Sequence, residues 1–291
     1  MWNPESLTRM EPLLVPEAAR QRAELNDLAL ELAQRSAGFR RSLPPALVGS
    51  LAALVRSMDC YYSNLIEGHD THPIDIERAL RGDFSRDARQ RNLQLEATAH
   101  IAVQAWIDGG GLAGRLLDTQ TLREIHRRFC SALPEDLLWV EVPGTGERLR
   151  VVPGEFRQHP VAVGQHVPVG ADAVPRFVER LVDVHRRLGR VDTIVGAAAF
   201  HHRMLWIHPF LDGNGRVVRL LSHAVLVELL DTGAIWSVAR GLARNVGEYK
   251  VHLAACDRPR RDDLDGRGAL SEESLVEFTR FFLRTCLDQV R

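Results

Sequence analysis

Between two stretches patterned as helices, 192–206 and 215–231, stands the run DGNG at 212–215. Two glycines flanking an asparagine favour a turn with backbone angles that most side chains avoid, so this run is not helix interior. The chain must turn there and restart a helix at once, with Val217, Leu220 and Leu221 on the apolar side of the new helix. Successive N–H groups in such a turn, pointing off a helix start, form a concave nest for an anion. Arg216 and Arg219 are three apart and project from one helix face toward the same region. Two guanidinium groups beside a nest suit a polyphosphate better than a lone carboxylate. Asp212 offers an oxygen ligand for Mg²⁺, which typically takes one or two carboxylates plus substrate phosphates. His208 is a candidate proton acceptor, because an unperturbed imidazole titrates near neutrality. Taken singly, each of these residues has an ordinary structural explanation. A nest, two arginines, a metal ligand and a base within residues 208–219 share none.

Most of the remaining chain carries helical patterns. Residues 17–36 favour a polar surface helix, and 45–65 set Leu47, Leu51, Leu54, Val55, Met58, Tyr62 and Leu65 on one apolar stripe that ends at Gly68. Further helices are expected at about 89–108, 118–131 with Asp118 as N-cap, 172–188, 245–256, and 271–288 behind Ser271. From Val140 to Val169, Gly144, Gly146 and Gly154 punctuate short valine-rich runs, which fit short strands or a hairpin. The run DDLDGRG at 262–268 lacks the closing glutamate of a calcium loop and reads as a turn. The expected fold is mainly α: a helical core with a small β-hairpin, preceded by a helical arm over 1–44.

Composition limits the function classes. A formal net charge of −1 gives no global pull toward nucleic acid or membrane, so anion binding must be local. Cys60, Cys130, Cys256 and Cys286 lie far apart, with no metal-ligand spacing, as expected of reduced thiols in the cytoplasm. The N-terminus has no basic start followed by a long apolar run, so no secretory signal is expected, and no stretch approaches a membrane span. His201 and His202 lack the partners of a zinc site and read as packing or pocket-rim residues.

One further pattern closes the 45–65 helix. Ser63 and Glu67 are four apart and share a face. An acid at a helix C-terminus opposes the helix dipole, which suggests a positive partner nearby, although a solvated surface glutamate is the more frequent case for so short a pattern.

The string HPFLDGNGRVVR resembles the signature of the Fic family (filamentation induced by cAMP), H-P-F-x-[DE]-G-N-G-R-x-x-R, at every specified position. LREIHRRF at 122–129, GEFR followed by VAVG at 154–164, and FHHRMLWIHPF leading into the signature are also similar to Fic domains, so that the likeness covers about 45–290. The resemblance implies a protein adenylyltransferase, with a Fic-type helical bundle over 45–291 and a β-hairpin flap at about 154–166. It implies that His208 takes the proton from a hydroxyl of a target protein, whose oxygen then attacks the α-phosphate of ATP. Asp212 would hold Mg²⁺, and Gly213, Asn214 and Gly215 would form the anion hole. Arg216 would meet the β-phosphate and Arg219 the γ-phosphate, with Phe210 buried as the anchor of the loop. Glycine and arginine at 215 and 216 depart from the phosphorylating relatives toward AMP transfer.

The segment SNLIEG at 63–68 resembles the inhibitory [ST]-x-x-x-E-[GN] motif of many Fic proteins. It implies that Glu67, on a helix of about 46–67, pairs with Arg219 and occupies the γ-phosphate position. The same resemblance leaves open a hydrolytic role in removing AMP, transfer of another nucleotide or of phosphate, and a non-catalytic nucleotide sensor. The segment EYKVHLAACD is similar to a stretch that contacts the nucleobase, which would give Tyr249 and Asp257 that role, although Lys250 replaces a second tyrosine. The target would dock on the flap by strand pairing. Self-modification and a homodimer are further expectations. No basic recognition helix is present, so no nucleic-acid partner is expected of this chain.

Overall fold

The computed structural model describes residues 6–142 and 145–290. Among them are eleven α-helices: α1 (Arg22–Arg41), α2 (Pro45–Ile66), α3 (Pro73–Leu80), α4 (Ala88–Asp108), α5 (Thr119–Ser131), α6 (Val174–His185), α7 (Arg190–Ile207), α8 (Asn214–Leu230), α9 (Val238–Arg244), α10 (Val246–Cys256) and α11 (Glu272–Gln289). A two-stranded antiparallel sheet joins β1 (Trp139–Glu141) to β2 (Arg148–Arg150), with Val140 opposite Leu149. The mainly helical expectation and the small hairpin are both present. None of the described helices is long and apolar enough to cross a membrane.

Local chemistry sets several helix starts. The Asp118 carboxylate accepts the Gln120 N–H at 2.7 Å at the head of α5, and Ser271 Oγ accepts the Ser274 N–H at 3.1 Å at the head of α11. In α11 the acidic Glu272 and Glu273 occupy the first turn, where the helix dipole favours them.

The centre of the fold is α7. From Ile194 to Ile207 all but one of its residues are buried, His201, His202 and Arg203 included, so the helix is enclosed on every side. On one side Phe200, Met204 and Ile207 join a cluster with Phe129 of α5, Phe177 of α6, and Val217 and Leu221 of α8. On the other, Ile194, Val195 and Ala198 join Leu25 and Leu32 of α1 and Phe278 and Phe282 of α11. The helix is therefore held from both sides up to the point where the loop begins.

Three expectations are corrected. The first helix is not a polar surface helix: Leu25, Ala29 and Leu32 form a buried stripe that packs on α7 and α11. Three apolar positions at helical spacing suffice for this, however polar the rest of the helix is. The apolar stripe expected on α2 is only partly inward: Leu51 and Tyr62 pack against the core, whereas Leu47 is 50%, Leu54 61% and Leu65 39% exposed. The helix buries Ala52, Asp59, Cys60, Ser63 and Asn64 instead. Burial of that polar face is compensated by bonds to other helices: Gln104 and Ser237 donate to the Asp59 carboxylate. Finally, the strand pairing lies at 139–150, upstream of the segment expected to pair. Residues 154–166 form no ladder and contain one isolated bridge, Val163 to His166. Gly144 lies outside the described residues.

Candidate active site

The end of α7 is where the loop begins. His208 adopts a left-handed conformation (φ 50°, ψ 62°), and its N–H bonds to Met204 O at 3.0 Å. A non-glycine residue held there carries backbone strain of about 1–3 kcal/mol, so the surroundings must impose it. They do so through Arg157. Its Nε donates to His208 O at 2.7 Å, a terminal nitrogen donates to Ile207 O at 3.3 Å, and its backbone N–H donates to Pro209 O at 2.9 Å. A buried cation thus satisfies the last carbonyls of α7. Burial pushes the His208 imidazole down to about 4, and the Arg157 charge adds to that effect. The ring is neutral at pH 7, which is the form that accepts a proton. Its Nδ1 is buried with no hydrogen-bond partner among the described residues.

The loop is pinned from within and from below. The Asn214 side chain spans it: Oδ1 accepts the Phe210 N–H and Nδ2 donates to Phe210 O, both at 2.9 Å. Phe210 is fully buried and stacks on the His126 ring of α5 with centroids 3.9 Å apart and planes 2° apart. His126 Nδ1 accepts the Gly154 N–H at 2.8 Å, so Nε2 carries the proton and donates to Asp212 O at 3.2 Å. One imidazole, kept neutral by burial with its pKa down to about 4, therefore ties α5, the 154–166 segment and the loop together. Gly154 has φ +80°, and a Cβ there would press on Arg123 O and the Arg127 side chain at 3.0 Å, so only glycine fits that junction.

Gly213 (φ 79°) is the N-cap of α8. Val217 N–H bonds back to Gly213 O at 3.0 Å, which leaves the N–H groups of 214–216 as the unsatisfied donors of a helix start. The Asn214 contribution to an anion is its backbone, since its amide is engaged with Phe210. Against this nest lies the Glu67 carboxylate. A Cβ built on Gly215 would collide with it and lie 3.0 Å from Arg219 NH1. Glu67, just past the end of α2, forms an ion pair with Arg219, which also donates from Nε to Ser63 Oγ at 2.9 Å. Burial alone would raise the Glu67 pKa. The charge and hydrogen bond of Arg219 outweigh it and hold the group below its ordinary value. The carboxylate therefore sits, ionised, where the geometry favours an anion.

Arg216 does not run parallel to Arg219. Its guanidinium lies 5.1 Å over the Phe129 ring, donates to Glu96 of α4 at 2.7 Å and stands 2.9 Å from His69 Nδ1. Asp212 is exposed, and no ion pair is recorded for it among the described residues. The described residues contain no cluster of three or more potential metal-binding side chains. A lone exposed carboxylate beside an anion nest still fits Mg²⁺, whose other ligands are typically phosphates and water.

Tyr249 and Asp257 lie apart from each other along α10. Tyr249 is 2% exposed, its hydroxyl 2.7 Å from His201 Nε2 and its ring near Phe278. Asp257 pairs with His202 at 3.0 Å. With Tyr249 enclosed in the core, its ring presents no open face to a base. His126, Arg157, Glu96 and His69 are the site residues that sequence reasoning missed. The first two stand inside the quoted runs LREIHRRF and GEFR, whereas no motif marks Glu96 or His69.

Residues 116–226 match the Fic/DOC family. The chain is 41% identical over 221 residues to Protein adenylyltransferase Fic of Drosophila persimilis, covering 72% of this chain and 40% of that protein. To the protein of the same name from Drosophila erecta it is 27% identical over 224 residues, covering 72% of this chain and 42% of that one. The chain thus spans about two-fifths of the length of these curated relatives. A crystal structure of a Fic family protein from Desulfovibrio desulfuricans G20 superposes with a TM-score of 0.69 at 18% identity, covering 96% of this chain and 75% of that one.

Proposed function

We propose, from the premise that residues 116–226 form a domain of the Fic/DOC family, that this protein transfers AMP from ATP to a hydroxyl side chain of a target protein. The observation that carries the reading is the pairing, within one pinned loop, of a neutral imidazole at the end of α7 with an anion nest at the start of α8. We assign this chemistry to the unit 45–291, with 1–44 as a helical arm.

In this reading His208 removes the proton from the target hydroxyl. The oxygen forms a bond to the α-phosphorus while the bridging bond to the β-phosphate breaks, and pyrophosphate leaves. The N–H groups at the head of α8 stabilise the charge that develops on the phosphoryl oxygens. Arg216 neutralises the β-phosphate and Arg219 the γ-phosphate. Asp212 would hold Mg²⁺, which would supply further neutralisation of the phosphates. The 154–166 segment receives the target. Its ties to the loop through His126 and Arg157 support this, because they fix the docking segment and the base as one unit.

Glu67 is the brake. Lying on Arg219 and against Gly215, it competes with the γ-phosphate and keeps ATP from a pose in which the α-phosphate can be attacked in line. The four buried free cysteines fit a reducing compartment, and we assign the protein to the cytoplasm. The test is incorporation of label from α-³²P ATP into protein. His208→Ala should abolish it and leave nucleotide binding in place. Labelling that persists in that variant would refute the assignment of the base.

A further inference from the structure

We propose that Glu96 is a positioning residue for Arg216, aiming its guanidinium at the β-phosphate. The inference rests on the AMP-transfer reading above.

Arg216 is only 5% exposed, and a buried guanidinium is costly without a charged partner. Glu96 is that partner: its side chain, 12% exposed, comes from α4 and accepts one terminal N–H at 2.7 Å. A guanidinium presents its donors in a rigid planar fork, so fixing one corner sets the direction of the others. Phe129 fixes the plane from one face. The Arg216 Nε is buried with no acceptor among the described residues, which leaves Glu96 as the charged group that holds this side chain.

Glu96 differs from Glu67 in its placement. Glu67 is 35% exposed and lies against Gly215 at the nest. Glu96 is more enclosed and approaches from α4, so it backs the arginine instead of competing for the anion position. His69 completes the arrangement. It follows Gly68, whose φ of +84° turns the chain after α2, and its Nδ1 lies 2.9 Å from both the Glu96 carboxylate and the Arg216 nitrogen. One ring nitrogen cannot donate to Glu96 and accept from Arg216 at once.

The test uses the Glu67→Gly protein as parent, so that the brake is removed. Binding of ATP, ADP and AMP is measured by calorimetry, and KM and kcat for AMP transfer are measured beside it, for Glu96→Ala, Glu96→Gln and Glu96→Asp. Glu96→Ala should weaken ATP and ADP on the order of tenfold, the scale seen when an outer-shell partner is removed. AMP, which has no β-phosphate, should bind as before. KM for ATP should rise more than kcat falls, and Glu96→Asp should recover part of the loss. Glu96→Gln, which keeps the shape, carries the comparison if the alanine variant does not fold. Unchanged or tighter ATP binding in the Glu96 variants, or an equal loss for AMP, would overturn the positioning role alone. A parent that binds no ATP would overturn the AMP-transfer reading and this inference with it.

Discussion

Glu67→Gln removes one charge from the α2–α8 contact and leaves its shape. Arg219 keeps Ser63, through Oγ at 2.9 Å and the carbonyl at 3.3 Å, so the arginine stays engaged and the helix stays docked. What disappears is the ion pair. Unit charges about 4 Å apart interact by about 4 kcal/mol at an effective dielectric of about 20. The Glu67 side chain is 35% exposed, and a glutamine still hydrogen-bonds, so solvent screening reduces the net loss to about 1–2 kcal/mol. A competitor weakened by that amount gives the γ-phosphate about 5- to 30-fold more access to Arg219. The initial rate of α-phosphate incorporation should rise by the same factor. Because Arg219 holds the Glu67 pKa below its ordinary value, the brake is charged throughout the neutral range and is lost only as the pH falls through that lowered value. The ratio of variant to wild-type rates should therefore be constant from about pH 6 to 8. A Glu67→Gln protein that binds ATP and transfers AMP at the wild-type rate would refute the brake.

Two further outcomes follow from the loop. With the His208 pKa down to about 4, the base is already neutral at pH 6, so kcat/KM of the Glu67→Gly protein should be level there and fall only as the pH approaches 4; an acid limb near 6.5 would contradict the buried, Arg157-facing imidazole. Phe210→Ala should cost about 3–5 kcal/mol in urea unfolding, as expected for a fully buried ring, and should slow AMP transfer further by freeing the loop from His126; a loss below 1 kcal/mol would show that the stack does not hold the loop.

The residues of the loop were legible because they are local. A turn, a helix start and the side chains they carry lie within 208–219, although the direction Arg216 takes depends on Glu96 and Phe129 from other helices. At the end of α2 the acid in an unfavourable place left a solvated surface glutamate open, and only the resemblance of SNLIEG to an inhibitory motif singled out Arg219, with which Glu67 pairs. Tertiary partners were not legible. Glu96 reaches Arg216 across 120 residues, and nothing in its own neighbourhood distinguishes it from a surface acid. The burial of α2 was misjudged because hydrophobic spacing counts apolar residues and ignores polar ones whose partners lie elsewhere. Asp59 and Ser63 go inside because Gln104, Ser237 and Arg219 meet them there. The valine-rich 154–166 segment failed as a ladder for a related reason. Its anchors are His126 and Arg157, and side-chain ties to the loop take the place of strand pairing.

The most direct measurement is the intact mass of the Glu67→Gly protein after incubation with Mg²⁺ and, in turn, ATP, other nucleotides and a candidate target. A covalent gain of one AMP from ATP, on this protein or the target, and no gain when His208→Ala is added, is the predicted result. A gain of phosphate, a gain from another nucleotide alone, or an AMP adduct that forms without His208 would contradict it.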